Sequence, residues 1–290
     1  MKINLVRVAQ YPAPIRLGIF LLILAILWLP IAALIYLLVG FFGNGDSPSV
    51  RNLLTILTMA LLFADFLFLV RIWGKNVYRQ PQVFKKYGVT AEPQNRLDLV
   101  KGLSLGLVIT FSLFGLESLL GWVVWQSPTM FLPQLILEGF LSALGVGFAE
   151  ELVFRGWLLD ELQRDYRPNT SLWIDALIFA ISHFIKPISE IIRTFPQFPA
   201  LLLLGLTLVW AKRGSKGRLG ISIGLHAGLV WGYYMINVGQ MVQYSGVVPA
   251  WITGVDKNPL AGVMGLGFLS AIALLMRKRS LKSVALLNKT

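Results

Sequence analysis

Residues Leu17 to Phe42 read LGIFLLILAILWLPIAALIYLLVGFF, a stretch without a single charge. An apolar run of about 18 residues or more is long enough to cross the hydrocarbon core as a helix. In hydrocarbon only helices and closed barrels satisfy every backbone polar group, and barrel strands are far shorter than this. The stretch is also too long for a signal-peptide core and lacks an A-x-A-like cleavage site, so it reads as a first membrane span. Further apolar runs follow near 53–72, 99–125, 133–158, 172–192, 196–211, 219–243 and 259–276. The expectation is an all-α polytopic membrane protein with about eight transmembrane helices, forming a single transmembrane domain over 1–290. The fifth and sixth spans are the weakest, because Lys186, Pro187, Glu190 and Arg193 shorten one and the other is barely long enough. A re-entrant hairpin is the alternative for that pair.

Working outward, the composition agrees: 56% of the chain is hydrophobic, 14% is charged, and the mean hydropathy is +0.70. Soluble domains carry about 25% charged residues. The net charge of +12 does not point to nucleic acid, because the basic residues sit in short segments between apolar runs rather than along one amphipathic face. Of the 26 Lys and Arg residues, 22 fall in the leader, between spans two and three, from Arg155 to Arg167, from Lys212 to Arg218 and after Met276. Only Arg51, Lys186, Arg193 and Lys257 lie on the other side. The positive-inside rule then puts both termini in the cytoplasm or its equivalent and requires an even number of spans. A bacterial inner membrane or an organelle equivalent fits. The absence of cysteine excludes disulfides, thiolate metal sites and a cysteine nucleophile.

An ionisable group inside a span costs roughly 2.5–3.5 kcal/mol on insertion scales, so each one asks for a reason. They cluster here. Span four contains Gly147-Phe148-Ala149-Glu150-Glu151-Leu152-Val153-Phe154-Arg155. Neighbouring residues on a helix point about 100° apart, and Glu151 and Arg155 are spaced i, i+4, so those two can pair. Glu150 is left without that partner and is available as a general base. The bland alternative is that both glutamates pair with Arg155 or end the span among headgroups. Span five carries Phe179-Ala180-Ile181-Ser182-His183, and span seven carries His226 within Gly224-Leu225-His226-Ala227-Gly228. These are the only two histidines. A lone histidine in an apolar helix is usually a packing residue, but a chain this sparing with histidine places both within the bilayer. At 1.5 Å of rise per residue, Glu150 and His226 match in depth from the basic side, and His183 lies about 5 Å deeper.

Taken together, these residues resemble the CPBP family of intramembrane proteases, which includes the type II CAAX prenyl endopeptidases and bacteriocin self-immunity proteins. Its E-E-x-x-x-R motif reads as Glu150, Glu151 and Arg155, and its F-x-x-x-H motif as Phe179 and His183. The later H-x-x-x-N motif is half present, since His226 is followed at the fourth position by Val230. The resemblance covers roughly 133–245, the core of spans four to seven. It implies an endopeptidase in which Glu150 and His183 activate a water against a peptide carbonyl and His226 stabilises the oxyanion. Glu151 and Arg155 would hold the helix, with Phe179 in a supporting role. The substrate would be a membrane-associated peptide or protein, lipidated in some family members. A metal-free mechanism is expected; if zinc were held, Glu150, His183 and His226 would ligate it. With valine in place of asparagine, Tyr233, two turns beyond His226, is the nearest stand-in for the oxyanion donor, whereas Asn237 lies roughly 16 Å along the helix.

Two other readings compete. A membrane immunity or scaffold protein of the same fold would not cleave, and Val230 is its best argument. A transporter would use Asp65, Glu117 and Glu138, further acids within apolar runs, but no inverted repeat or pair of broken helices supports it.

Overall fold

Proline opens most of the long helices. Pro48, Pro93, Pro133, Pro168 and Pro199 each stand at the first or second helical position, where a missing N–H removes no hydrogen bond. In the computed structural model, which describes residues 5–41 and 47–287, these starts organise an all-α polytopic membrane protein. Phe42, expected to close the first span, and both extreme termini lie outside the described residues.

Contacts gather into two compact units, residues 1–86 and 87–290. In the first, α1 (Ala13–Phe41) packs on α2 (Pro48–Asn76) through the edge-on rings of Phe20 with Phe66 and Trp73 and through the Trp28 indole bonded to the Thr58 carbonyl. A short α3 (Val83–Tyr87) runs to the boundary.

The second unit begins with α4 (Pro93–Leu119), followed by β1 (Val123–Trp125) and α5 (Leu132–Glu151). A π-helical segment, Leu152–Leu158, continues α5 into α6 (Leu159–Gln163). Then come α7 (Pro168–Ser182), the short α8 (Ile188–Thr194), α9 (Phe198–Gly214) and α10 (Gly220–Val238). The strand β2 (Val242–Tyr244) pairs antiparallel with β1, Val123 opposite Tyr244, and α11 (Ala250–Thr253) leads to α12 (Val263–Leu287).

Five helical stretches among the described residues are long and apolar enough to cross a membrane: Ala13–Phe41, Pro48–Asn76, Pro93–Leu119, Leu132–Gln163 and Ile188–Gly214. Span five departs from the expected 172–192. Its helix stops at Ser182 after 15 residues, rising only about 22 Å, so His183 sits at a helix end rather than mid-helix.

The tightest seam joins α4 to α10. Gly220, Gly224, Gly228 and Gly232 recur every fourth residue on α10, and Gly102 and Gly106 answer from α4. A Cβ on Gly224 would lie 2.0 Å from the Leu99 carbonyl oxygen, and one on Gly228 would lie 2.3 Å from that of Leu103. Without a hydrophobic drive between helices in lipid, such close backbone approach is what associates them. This seam fixes the rotation of α10. His226, two residues from both Gly224 and Gly228, is turned to the opposite face.

Candidate active site

The site forms where α5, α7 and α10 meet. Phe179 is its floor. Fully buried on α7, its ring meets the rings of His183 at 4.7 Å, His226 at 6.0 Å and Phe154 at 5.1 Å, all edge-on. The Arg155 guanidinium lies over the same ring, 4.2 Å from its centre. The Phe179 carbonyl accepts a 2.8 Å hydrogen bond from His183 Nδ1. A carbonyl can only accept, so Nδ1 carries the proton and a neutral His183 presents its Nε2 lone pair.

The two glutamates have opposite surroundings. Glu151 is fully buried, and its Oε1 accepts two hydrogen bonds of 3.0 Å, from Arg155 Nη1 and from His226 Nδ1. The contact with Arg155 was expected from the spacing; the contact with His226 was not. A carboxylate on Nδ1 orients an imidazole and leaves Nε2 to face the chemistry. Glu150 keeps about 31% of its side chain exposed, but its Oε2 is buried with no hydrogen-bond partner. That oxygen lies 3.9 Å from His183 Nε2 and 3.9 Å from His226 Nε2. The 5 Å depth offset expected for His183 is therefore absorbed in the packing, and all three groups converge.

Arg155 is the other centre. Fully buried, it also donates through Nη2 to the Gly205 carbonyl at 3.1 Å, and its Nε lies 3.6 Å from Asp175 Oδ2. Asp175 was missed from the sequence, although Asp175, Phe179 and His183 recur every fourth residue and so share one face of α7. The π turn was missed too. Such turns leave carbonyls outside the regular ladder, and here the Arg155 carbonyl accepts from Lys212 Nζ at 2.6 Å.

Val230 lines the same apolar cavity as both histidines, some 270 Å³ in volume, walled further by Leu229, Phe268 and Tyr233. The Tyr233 hydroxyl donates to the Lys257 carbonyl at 3.3 Å, close to the limit for a hydrogen bond. A tetrahedral zinc with ligands at about 2.0–2.1 Å would set its donors about 3.3–3.4 Å apart. The Glu150 oxygen and its two imidazole neighbours stand wider than that. Among the described residues, no three histidine, cysteine or carboxylate side chains close to metal-binding distance.

Glu138 accepts from Gln134 at an exposed position, Asp65 belongs to the first unit, and Glu117 is fully buried in α4.

Fold and geometry together describe a multi-pass helical membrane protein with a buried carboxylate–imidazole cluster. Residues 131–232 match the family model described as Rce1-like, type II CAAX prenyl endopeptidase Rce1-like. The matched segment holds the motifs that resemble the CAAX-type intramembrane proteases. It contains every motif residue above and ends one residue short of Tyr233. No curated protein and no solved structure matches the chain.

Proposed function

We propose that the chain is an endopeptidase whose general base is Glu150. The observation that carries this reading is the unpartnered Glu150 Oε2, held 3.9 Å from both Nε2 atoms. A water hydrogen-bonded to Glu150 and His183 loses its proton to the carboxylate as its oxygen attacks the peptide carbonyl carbon. His226, protonated on Nε2 and braced through Nδ1 by Glu151, donates to the oxyanion that forms. The proton then passes to the departing amine nitrogen as the C–N bond breaks. Arg155 acts through Glu151: it balances the charge of the carboxylate that positions His226. General bases contribute about 10²–10⁴ in rate. The apolar cavity beside the histidines suits a membrane-associated substrate that presents an apolar side chain or a lipid. The test is cleavage of fluorogenic peptides by the purified protein, with and without chelator, beside Glu150→Ala. Chelator-insensitive cleavage lost in the variant is expected. Loss on chelation with restoration by zinc would replace the metal-free account, and no cleavage at all would favour the scaffold reading, for which Val230 is the supporting residue.

By the positive-inside rule, with 22 of 26 cationic residues on one side, the Lys212–Arg218 end of the second unit should face the cytoplasm or its equivalent. Single cysteines at Lys85 and Lys216 should resist an impermeant thiol reagent applied to intact cells and react after permeabilisation. Labelling of either from outside would invert the topology.

A further inference from the structure

A second cavity, about 570 Å³, lies beside the β1–β2 pair at the end of α10 away from Lys212–Arg218. Four carboxamides line it: Gln126, Asn237, Gln240 and Gln243. Gln126 Nε2 donates to Gln243 Oε1 at 2.6 Å, which leaves an acceptor on Gln126 and a donor on Gln243 for a guest. Tyr244 lines the same cavity, and its hydroxyl is buried without a hydrogen-bond partner. Burial, and then the charge of nearby Glu117, push the Tyr244 phenol above its ordinary range, so it remains a donor. A buried polar atom left unpaired asks for a partner. Side chains that both donate and accept are the chemistry that recognises peptide main chain, where N–H and C=O alternate. Residues Val242, Gln243 and Tyr244 supply one wall, and among the described residues β2 has a strand neighbour on one side only, β1.

The cavity shares a wall residue, Tyr233, with the apolar one at the Glu150 cluster. Along α10 the distance from His226 is about 10 Å to Tyr233 and about 16 Å to Asn237, and Gln240 follows two residues after the helix ends at Val238. An extended chain advances about 3.3 Å per residue, so roughly five or six residues on one side of the scissile bond reach from the catalytic cluster into the carboxamides.

We infer that this polar cavity is a docking subsite for the polypeptide arm of the substrate, bound in extended form, on the membrane face opposite the basic loops. The inference rests on the peptidase reading above. Its test uses the full-length protein and one quenched-fluorescent peptide that it cleaves, trimmed to two residues or extended to six on either side of the scissile bond. Lengthening one arm, and not the other, should raise kcat/KM by about tenfold or more, the effect of two or three new hydrogen bonds. The triple variant Asn237→Ala/Gln240→Ala/Gln243→Ala should lose that gain yet cleave the short peptide at the native rate. No dependence on arm length, or the same gain in the triple variant, would overturn the subsite while leaving the peptidase intact. If no peptide is cleaved, fluorescence anisotropy of a dye-labelled long peptide decides. Binding weakened tenfold by the triple variant supports the subsite without hydrolysis, and equal binding removes it.

Discussion

The two faces of α10 solve different problems. The glycine face meets α4 through bare backbone, with Gly224 and Gly228 set against the Leu99 and Leu103 carbonyls. The His226 face meets α5 and α7 through charge, with Glu151, Arg155 and Asp175 all fully buried around Phe179. The first interface contributes packing and no reactivity. The second accepts the desolvation cost of three buried charged side chains, and only there does an uncommitted carboxylate oxygen meet two imidazoles. The contrast shows how the bundle affords a polar knot in lipid: the helix that carries the histidine is anchored on its other side mainly by glycine backbone set against backbone.

Four measurements would sharpen or break that contrast. The largest effect belongs to Gly224→Leu, whose Cβ would meet backbone rather than a yielding side chain. No monodisperse protein should be recovered on size exclusion. Gly115→Ala, where an added Cβ meets nothing within 4 Å, should be at least as stable as the native chain. Recovery of well-folded Gly224→Leu would show that the seam is not what fixes α10.

Next, Arg155→Ala strands Glu151 and Asp175 and should cost about 3–5 kcal/mol in denaturant unfolding. Adding Glu151→Gln removes one stranded charge and should recover part of that loss, so the double variant will be more stable than additivity allows. Strict additivity would deny the coupling seen in the 3.0 Å contact.

The smallest expected effects concern Val230. Losing one oxyanion donor typically costs about 10²–10³ in rate, so the native chain should be slow and Val230→Asn faster by up to that factor. Tyr233→Phe should slow the native protein and matter less in the Val230→Asn background. Kinetics on the four variants of that cycle would decide. Unchanged turnover in Val230→Asn beside an inert Tyr233→Phe would remove this account of the oxyanion.

Much of this contrast was legible before any coordinates. Helical character and the pairing of Glu151 with Arg155 follow from local rules, apolar run length and i, i+4 spacing, and both are present in the fold. What stayed hidden depends on partners from other helices. The second hydrogen bond of Glu151 comes from His226, 75 residues away, and no spacing rule reports it. The π-helical segment Leu152–Leu158 after Glu151 continues the helix without a break in the chain direction, and no 3.6-residue periodicity reports it. Span five read as weak because its helix ends at Ser182 within the bundle; Lys186 and Pro187 already lie in the turn beyond it. Two signals were readable and went unused. Glycine at every fourth residue of α10 marks a packing seam, and Asp175 one turn before Phe179 marks the counter-charge to Arg155.

The central claim is that Glu150 does chemistry while its neighbour Glu151 holds structure. Single-turnover cleavage of a fluorogenic peptide by Glu150→Gln, with thermal unfolding measured on the same preparation, tests it most directly. The account predicts native unfolding behaviour and a rate reduced by about 10² or more. A Glu150→Gln protein that cleaves at the native rate would contradict it.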